Sequence, residues 1–310
     1  MKPPVFEYRA PQSVEEALEI LAEYGDEAKA LAGGQSLVPT MNFRLAQPAV
    51  LVDLNGIVDL NGIVDLNGLG ELGHERAEPG GALRLGAMVR QRAAETSAAV
   101  AERAPLLAEA LTHVAHPQIR NRGTLGGSLA HADPAAELPA VALALEARLH
   151  LRRRGGARTV PAGEFFTSLF ETALEPDELL VAIEIPPPAP RSGWAFEEFS
   201  RRRGDFALAG VAVVVELDER GGVAGTRIAL LGVGEGPTLA TTAMARLAGA
   251  RPAAEALRAA AHAAAEHDVD ATTDLHATAA YRRRLVETLT RRALERALER
   301  ARGSGGGTQT

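Results

Sequence analysis

Apolar positions along this chain repeat first with a helical and then with a strand-like period, and the changes of period mark its elements. Val14, Ala17, Leu18 and Leu21 keep helical spacing behind a Ser13 to Glu16 capping box, and Gly25 is the expected stop. A short buried strand, Ala28 to Leu31, then runs into Ala32-Gly33-Gly34-Gln35-Ser36, a glycine loop at the C-terminal end of a strand. Val50 to Leu54 reads as another strand. The hexamer Gly-Ile-Val-Asp-Leu-Asn starts at Gly56 and again at Gly62, and Gly68-Leu69 follows. Too few copies are present for a solenoid, so the segment reads as a tandem duplication that bulges from a connection, with turns at its Asn-Gly pairs. Leu83 to Ala87 is a strand after the Gly80-Gly81 turn. Arg90 to Val100 and Pro105 to Ala115 read as helices, the second ended by His116-Pro117. Thr124-Leu125-Gly126-Gly127-Ser128 reads as a second small-residue loop. Asp133 and Pro134 follow as N-cap and first residue of a helix reaching about Leu145. A hairpin, Ala147 to Arg153 and Ala157 to Val160, turns at Gly155-Gly156.

After Pro176 the pattern changes. Leu179 to Ile185, Trp194 to Ser200, Phe206 to Leu217 and Val223 to Val233 are strand-like. Helical patterns then fill Thr238 to Gly249, Pro252 to His267 and Ala277 to Arg302. Strands followed by helices predict an α+β domain with an antiparallel sheet and helices on one face. The tail from residue 303 to 310 is glycine-rich and expected to be disordered.

Composition narrows the function. The chain has 310 residues and a net charge of −7, which disfavours nucleic acid and anionic membranes as partners. Arg152-Arg153-Arg154 and Arg201-Arg202-Arg203 flank strands and read as solvated faces. No apolar run is long enough to span a bilayer, and MKPPVFEY lacks the apolar core of a signal peptide, so a cytoplasmic protein is expected. Cysteine is absent, which removes disulfides, thiolate catalysis and thiolate-held clusters from this sequence. His113 with His116, and His262 with His267, have no credible third ligand nearby. No metal site and no catalytic acid, base or nucleophile is assigned.

The candidate chemistry lies in the two glycine loops. Backbone amides left bare by glycine and a fresh helix N-terminus attract phosphate, and two such loops suit a long ligand with a pyrophosphate at its middle. The first loop is not the GxGxxG fingerprint, and taken alone a ligand-free tight turn explains it equally well. A bound cofactor carrying its own chemistry is the reading that remains.

Three segments in order carry a specific resemblance: AGGQSLVP from Ala32, QIRNRGTLGGSLAHADPAAELP from Gln118, and RRRGDFALAGVA from Arg201. They resemble the FAD-binding medium subunit of the molybdenum hydroxylases, the carbon monoxide dehydrogenase and xanthine dehydrogenase family. The resemblance implies an FAD-binding (PCMH-type) region over residues 1–177, with subdomains of about 1–56 and 57–177. A carbon monoxide dehydrogenase flavoprotein-like C-terminal domain would cover 178–302. Carried over residue by residue, Ala32, Gly33, Gly34, Gln35 and Ser36 would wrap the pyrophosphate, flanked by Leu31 and Leu37. Thr124, Leu125, Gly126, Gly127 and Ser128 would form the second phosphate and ribityl loop. Val114 would pack near the adenine or flavin, Glu137 would hydrogen-bond the cofactor, and Leu180 would give a backbone contact. Asp205 and Phe206 match a stretch near the exposed flavin edge. Glu197 or Glu198 stands where some relatives carry lysine, a departure that bears on flavin or acceptor tuning.

The implied function is electron transfer. A molybdopterin cofactor in a large partner subunit would oxidise substrate, and iron–sulfur clusters of the 2Fe-2S type in a small subunit would pass electrons to FAD here. The acceptor would be quinone, NAD or oxygen, and the complex a dimer of heterotrimers, a heterohexamer. Two other readings stay open at this point: a self-sufficient FAD-dependent oxidoreductase, and a non-enzymatic nucleotide-binding protein. Turnover in isolation would mark the first, and folded protein that refuses FAD the second.

Overall fold

The structure is a computed structural model that describes residues 1–57, 60–65 and 81–304. Part of the hexamer duplication, the first residue of the Gly80-Gly81 turn, and the tail from 305 lie outside the described residues.

The first subdomain is a parallel three-stranded sheet, in which Val50–Asp53 lies between Glu7–Arg9 and Ala28–Leu31. The helix Val14–Tyr24 covers it, burying Val14, Ala17, Leu18 and Leu21 as the spacing predicts. Ser13 accepts from the Glu16 amide, and Glu16 in turn accepts from the Gln12 amide at 2.8 Å, one residue further back than the usual box.

The second subdomain is a five-stranded antiparallel sheet in the order Ile63–Asp65, Leu83–Gly86, Leu179–Ile185, Arg148–Arg153, Gly156–Pro161. Two expectations change here. Leu179–Ile185, expected to open the C-terminal sheet, is the central strand of this one. The duplication does not simply bulge out either. Ile57 and Leu60 of its first copy are core residues, and Ile63–Asp65 of its second is an edge strand. A hexamer that alternates apolar and polar positions can supply both.

Val181 is the extra residue of a bulge between Leu180 and Ala182. The bulge resets the alternation, so Leu179 and Val181 face the first subdomain while Leu180, Ile183 and Ile185 face the larger core on the other side.

The helices over that larger core are shorter than the periodicity predicts. Arg90 to Val100 divides into Gln91–Glu95 and Ala98–Arg103, because Ser97 caps a new start by accepting from the Val100 amide. Pro105–Leu111 stops at Leu111, and His116-Pro117 opens a four-residue helix, Pro117–Arg120, with proline at its first position.

The C-terminal sheet has the order Ser192–Ser200, Ala207–Leu217, Val223–Leu231, Thr238–Leu239. One face carries the helices Thr241–Leu247, Ala254–His267 and Ala279–Ser304 over Ala209, Val211, Val213 and Ile228. The long helix rides so close to the first strand that a Cβ at Gly193 would lie 1.9 Å from the Ala297 carbonyl oxygen. The opposite face, with Phe196, Ala212, Ala229 and Leu231, is also covered, by helices from earlier in the chain such as Glu137–Ala144. Arg296 and Arg300 tie the two parts together by reaching Glu109 at 2.8 and 2.5 Å.

Candidate FAD site

The parallel sheet places the first loop. Ala28–Leu31 stays paired up to Leu31 opposite Asp53, and the chain leaves the sheet through residues 32–36 into the helix Leu37–Asn42. Gly34 sits at φ +73°, a conformation glycine adopts without strain. Gln35 folds back so that its amide nitrogen donates to the Gly33 carbonyl at 3.0 Å. Among the described residues, no acceptor is bonded to the amides of Gly34, Gln35 and Ser36. These are free donors in a glycine turn.

The second segment behaves differently. Thr124 to Ser128 is not a loop: Thr124 is the N-cap of a helix, Leu125–His131, and its hydroxyl accepts from the Gly127 amide at 3.0 Å. The helix expected to start at Asp133 begins only at Glu137. Asp133 instead closes a turn by accepting from the Ala135 amide, and Ala132 ends the preceding helix in a left-handed conformation at φ 51°. The amides of the second segment are also not bare. Leu125 donates to Val89, Gly126 to Ala87 and Gly127 to Thr124, so this segment is anchored by the donors expected to face a phosphate. Its glycines serve close packing. A Cβ at Gly126 would meet the Ala87 side chain at 2.5 Å, and one at Gly127 would stand 2.7 Å from Thr124 Oγ1 and 3.3 Å from the Ala32 Cβ.

The fold brings the two segments into contact. A Cβ at Gly33 would lie 2.4 Å from the Arg122 carbonyl oxygen and 2.8 Å from the Gly123 Cα, so only glycine fits there. Two guanidinium groups, Arg90 and Arg122, stand close enough to repel, and burial together with that repulsion holds Arg90 below the usual arginine range. Free amides in a glycine turn, a second wall of small residues and two neighbouring cations fit an anionic pyrophosphate.

The remaining expected site residues differ in their placement. Leu31 and Leu37 are half-buried at the two ends of the first loop, and Ser128 is half-buried one residue beyond Gly127. Val114 is buried, and its carbonyl accepts from Arg120 Nη1 at 2.7 Å. The same guanidinium makes a two-point contact with Glu95. Leu180 lies in the core on which the Leu125–His131 helix packs, so its side chain supports that helix from beneath. Glu137 is the first residue of its helix and is buried. Burial, reinforced by the nearby Glu198 carboxylate, pushes its carboxyl up to about 8, so at neutral pH it is a protonated donor.

The Glu198 side chain is only 6% exposed, with Oε1 3.3 Å from His113 Nδ1 and Oε2 unpartnered among the described residues. Glu197 takes Arg296 at 2.5 Å. Glu197 and Glu198, either of which could match the lysine position of the resemblance, thus each have contacts of their own. Asp205 lies in a turn, its amide donating to the Arg202 carbonyl, and Phe206 is 66% exposed just before the strand.

Arg90 and Arg122 beside this contact, and Asn55, which bonds both Ala32 and Arg90, were not singled out at the level of sequence. Asn55 reads there only as half of an Asn-Gly turn and Arg90 as a helix start. Their importance comes from contacts across the fold, for which local sequence carries no signal.

Comparison with known proteins identifies the family. Residues 4–188 match the family described as the FAD binding domain in molybdopterin dehydrogenase, and residues 194–297 the CO dehydrogenase flavoprotein C-terminal domain. The chain is 42% identical over 302 residues to the 6-hydroxypseudooxynicotine dehydrogenase complex subunit alpha of Paenarthrobacter nicotinovorans, covering 97% of each. It is 41% identical over 301 residues to caffeine dehydrogenase subunit beta of a Pseudomonas species, again covering 97% of each. A solved chain of carbon monoxide dehydrogenase from Hydrogenophaga pseudoflava superposes with a TM-score of 0.89 at 42% identity, over 97% of this chain and 99% of that one. The chain therefore belongs to the FAD-binding subunits of the molybdopterin dehydrogenases, oxidoreductases of the carbon monoxide dehydrogenase flavoprotein type.

Proposed function

We propose that this chain is the electron-transfer subunit of a three-component molybdenum hydroxylase. Its partners would be a large molybdopterin-binding chain and a small iron–sulfur chain, assembled as a dimer of heterotrimers. The observation that carries the reading is the contact between the two glycine segments at Gly33 and Arg122, beside the free amides of Gly34, Gln35 and Ser36. Bound FAD supplies the redox chemistry, with electrons arriving from clusters on a partner chain and leaving to an external acceptor such as quinone, NAD or oxygen. The residues of this chain bind and orient. Residues 32–36 hold the pyrophosphate through backbone donors, with Leu31 and Leu37 fixing the loop ends. Thr124 and Ser128 contribute hydroxyls, while Leu125, Gly126 and Gly127 form the close wall opposite. Val114 and Leu180 shape the apolar surroundings, and the protonated Glu137 donates a hydrogen bond. The sequence has no cysteine, so thiolate-held clusters have to reach this FAD from another chain.

The test is an absorption spectrum of the purified chain before and after FAD is added, with Gly34→Val and Gly127→Val alongside. We expect a flavin spectrum in the wild type and its loss in both variants: one strains a positive-φ turn, the other fills the gap between the segments. Folded wild-type protein that takes up no FAD, even when co-expressed with its partners, would sink the reading. Substrate turnover by the chain alone would replace it with a self-sufficient oxidoreductase.

A further inference from the structure

Three hydrogen bonds run in series between the two segments. The Asn55 side-chain amide donates from Nδ2 to the Ala32 carbonyl at 3.0 Å, in the first loop. Its Oδ1 accepts from Arg90 Nη2 at 2.6 Å. Arg90 Nη1 donates to the Arg122 carbonyl at 2.5 Å, at the entrance to the second segment. The carbonyl held by Arg90 is the one that leaves no room for a Cβ at Gly33. The backbone grips the same place, because Arg90 pairs with Thr124 in a one-residue bridge and the Gln91 amide donates to the Gly123 carbonyl.

We propose that Asn55 and Arg90 form a side-chain strap that holds the two glycine segments at the spacing FAD requires, acting on the cofactor as positioning residues. The proposal rests on the reading that these segments hold FAD. Each link needs the residue type present. Asn55 must donate with one end of its amide and accept with the other, and its orientation is fixed because Nδ2 also meets Asp53 Oδ1 at 2.5 Å. Asp53 is held in turn by the Tyr8 hydroxyl and the Asn55 backbone amide. Burial of Asp53 opposes its ionisation, but those hydrogen bonds outweigh it and keep the carboxyl below its usual range. Arg90 serves two acceptors from two different nitrogens of a planar fork, a fixed spread that the single nitrogen of an ammonium, although it carries three donors, does not reproduce. A strap of this kind raises affinity by fixing the site before the ligand arrives.

The test is FAD binding to the full-length chain, followed by quenching of flavin fluorescence, with visible circular dichroism of the bound flavin and melting of the apoprotein. We expect Asn55→Ala and Arg90→Ala each to weaken FAD binding by about 10-fold or more and to alter the flavin dichroism. The double variant should bind no worse than the weaker single one, because the links act in series. Asn55→Asp, which keeps the acceptor but loses the donor, and Arg90→Lys, which keeps the charge but loses the fork, should behave like the alanine variants. Recovery of wild-type affinity by Arg90→Lys would overturn the strap in favour of simple charge. Losses that multiply in the double variant, or lowered melting temperatures with unchanged affinity, would overturn it as well. A wild-type chain that takes up no FAD would overturn the strap together with the two-segment reading beneath it.

Discussion

At the scale of single residues, Glu137 stands apart because its carboxyl is buried and held near pH 8 rather than at its ordinary value of 4.5. The folded chain therefore keeps a proton that the unfolded chain releases between those values. Glu137's contribution to stability is full below about pH 4.5, declines as the pH rises, and is gone above about pH 8. Glutamine has the same shape and cannot ionise. We expect Glu137→Gln to melt close to wild type near pH 5 and increasingly above it toward about pH 9, and parallel melting curves across that range would refute the assignment. The two glycine segments stood out in the sequence, while Glu137 entered only through the resemblance. The burial of Glu137 was not legible there, because the Glu198 carboxylate that faces it comes from a strand 61 positions later in the chain. Asn55 and Arg90 stayed hidden for the same reason.

At the scale of elements, the segment beginning at Thr124 shows where local rules mislead. Two consecutive glycines are poor helix formers, and Asp133-Pro134 is a strong helix start, so the sequence points to a loop followed by a helix. Packing reverses this. Gly126 has to approach Ala87 too closely for any side chain, and the helix forms through the glycines because it buries Leu125 and Leu129. Its start then depends on the Thr124 hydroxyl. Thr124→Ala should cost about 1 kcal/mol in denaturant unfolding and Thr124→Ser only a fraction of that, and equal losses in the two variants would mean that the cap contributes nothing. The longer strands and the two long C-terminal helices, where periodicity and burial agree, were legible to within a few residues, but short strands such as Glu7–Arg9 and Thr238–Leu239 were not. The helix expected from Arg90 broke at Ser97, where capping outweighed periodicity, and the next stopped at Leu111, short of the expected Ala115.

At the scale of the whole molecule, both faces of the C-terminal sheet are buried, so the two parts share one interior. The α+β architecture was visible in the order of strands and helices, but the allegiance of Leu179–Ile185 was not, since pairing partners leave no mark on a single strand. That strand has a consequence for how the protein comes into being. The Val181 carbonyl accepts from the Ala87 amide, and the Ala87 carbonyl accepts from Gly126. The second glycine segment is therefore braced by a residue synthesised more than fifty positions after it. A nascent chain that has emerged only to residue 177 carries both glycine segments but no central strand, and contacts so distant in sequence form late. We expect such a chain, stalled on the ribosome, to capture no FAD while one with its full length exposed does; flavin retained at the shorter length would show that the site matures without the strand. On that expectation cofactor loading waits until the central strand has emerged, and a product truncated before it is left without flavin.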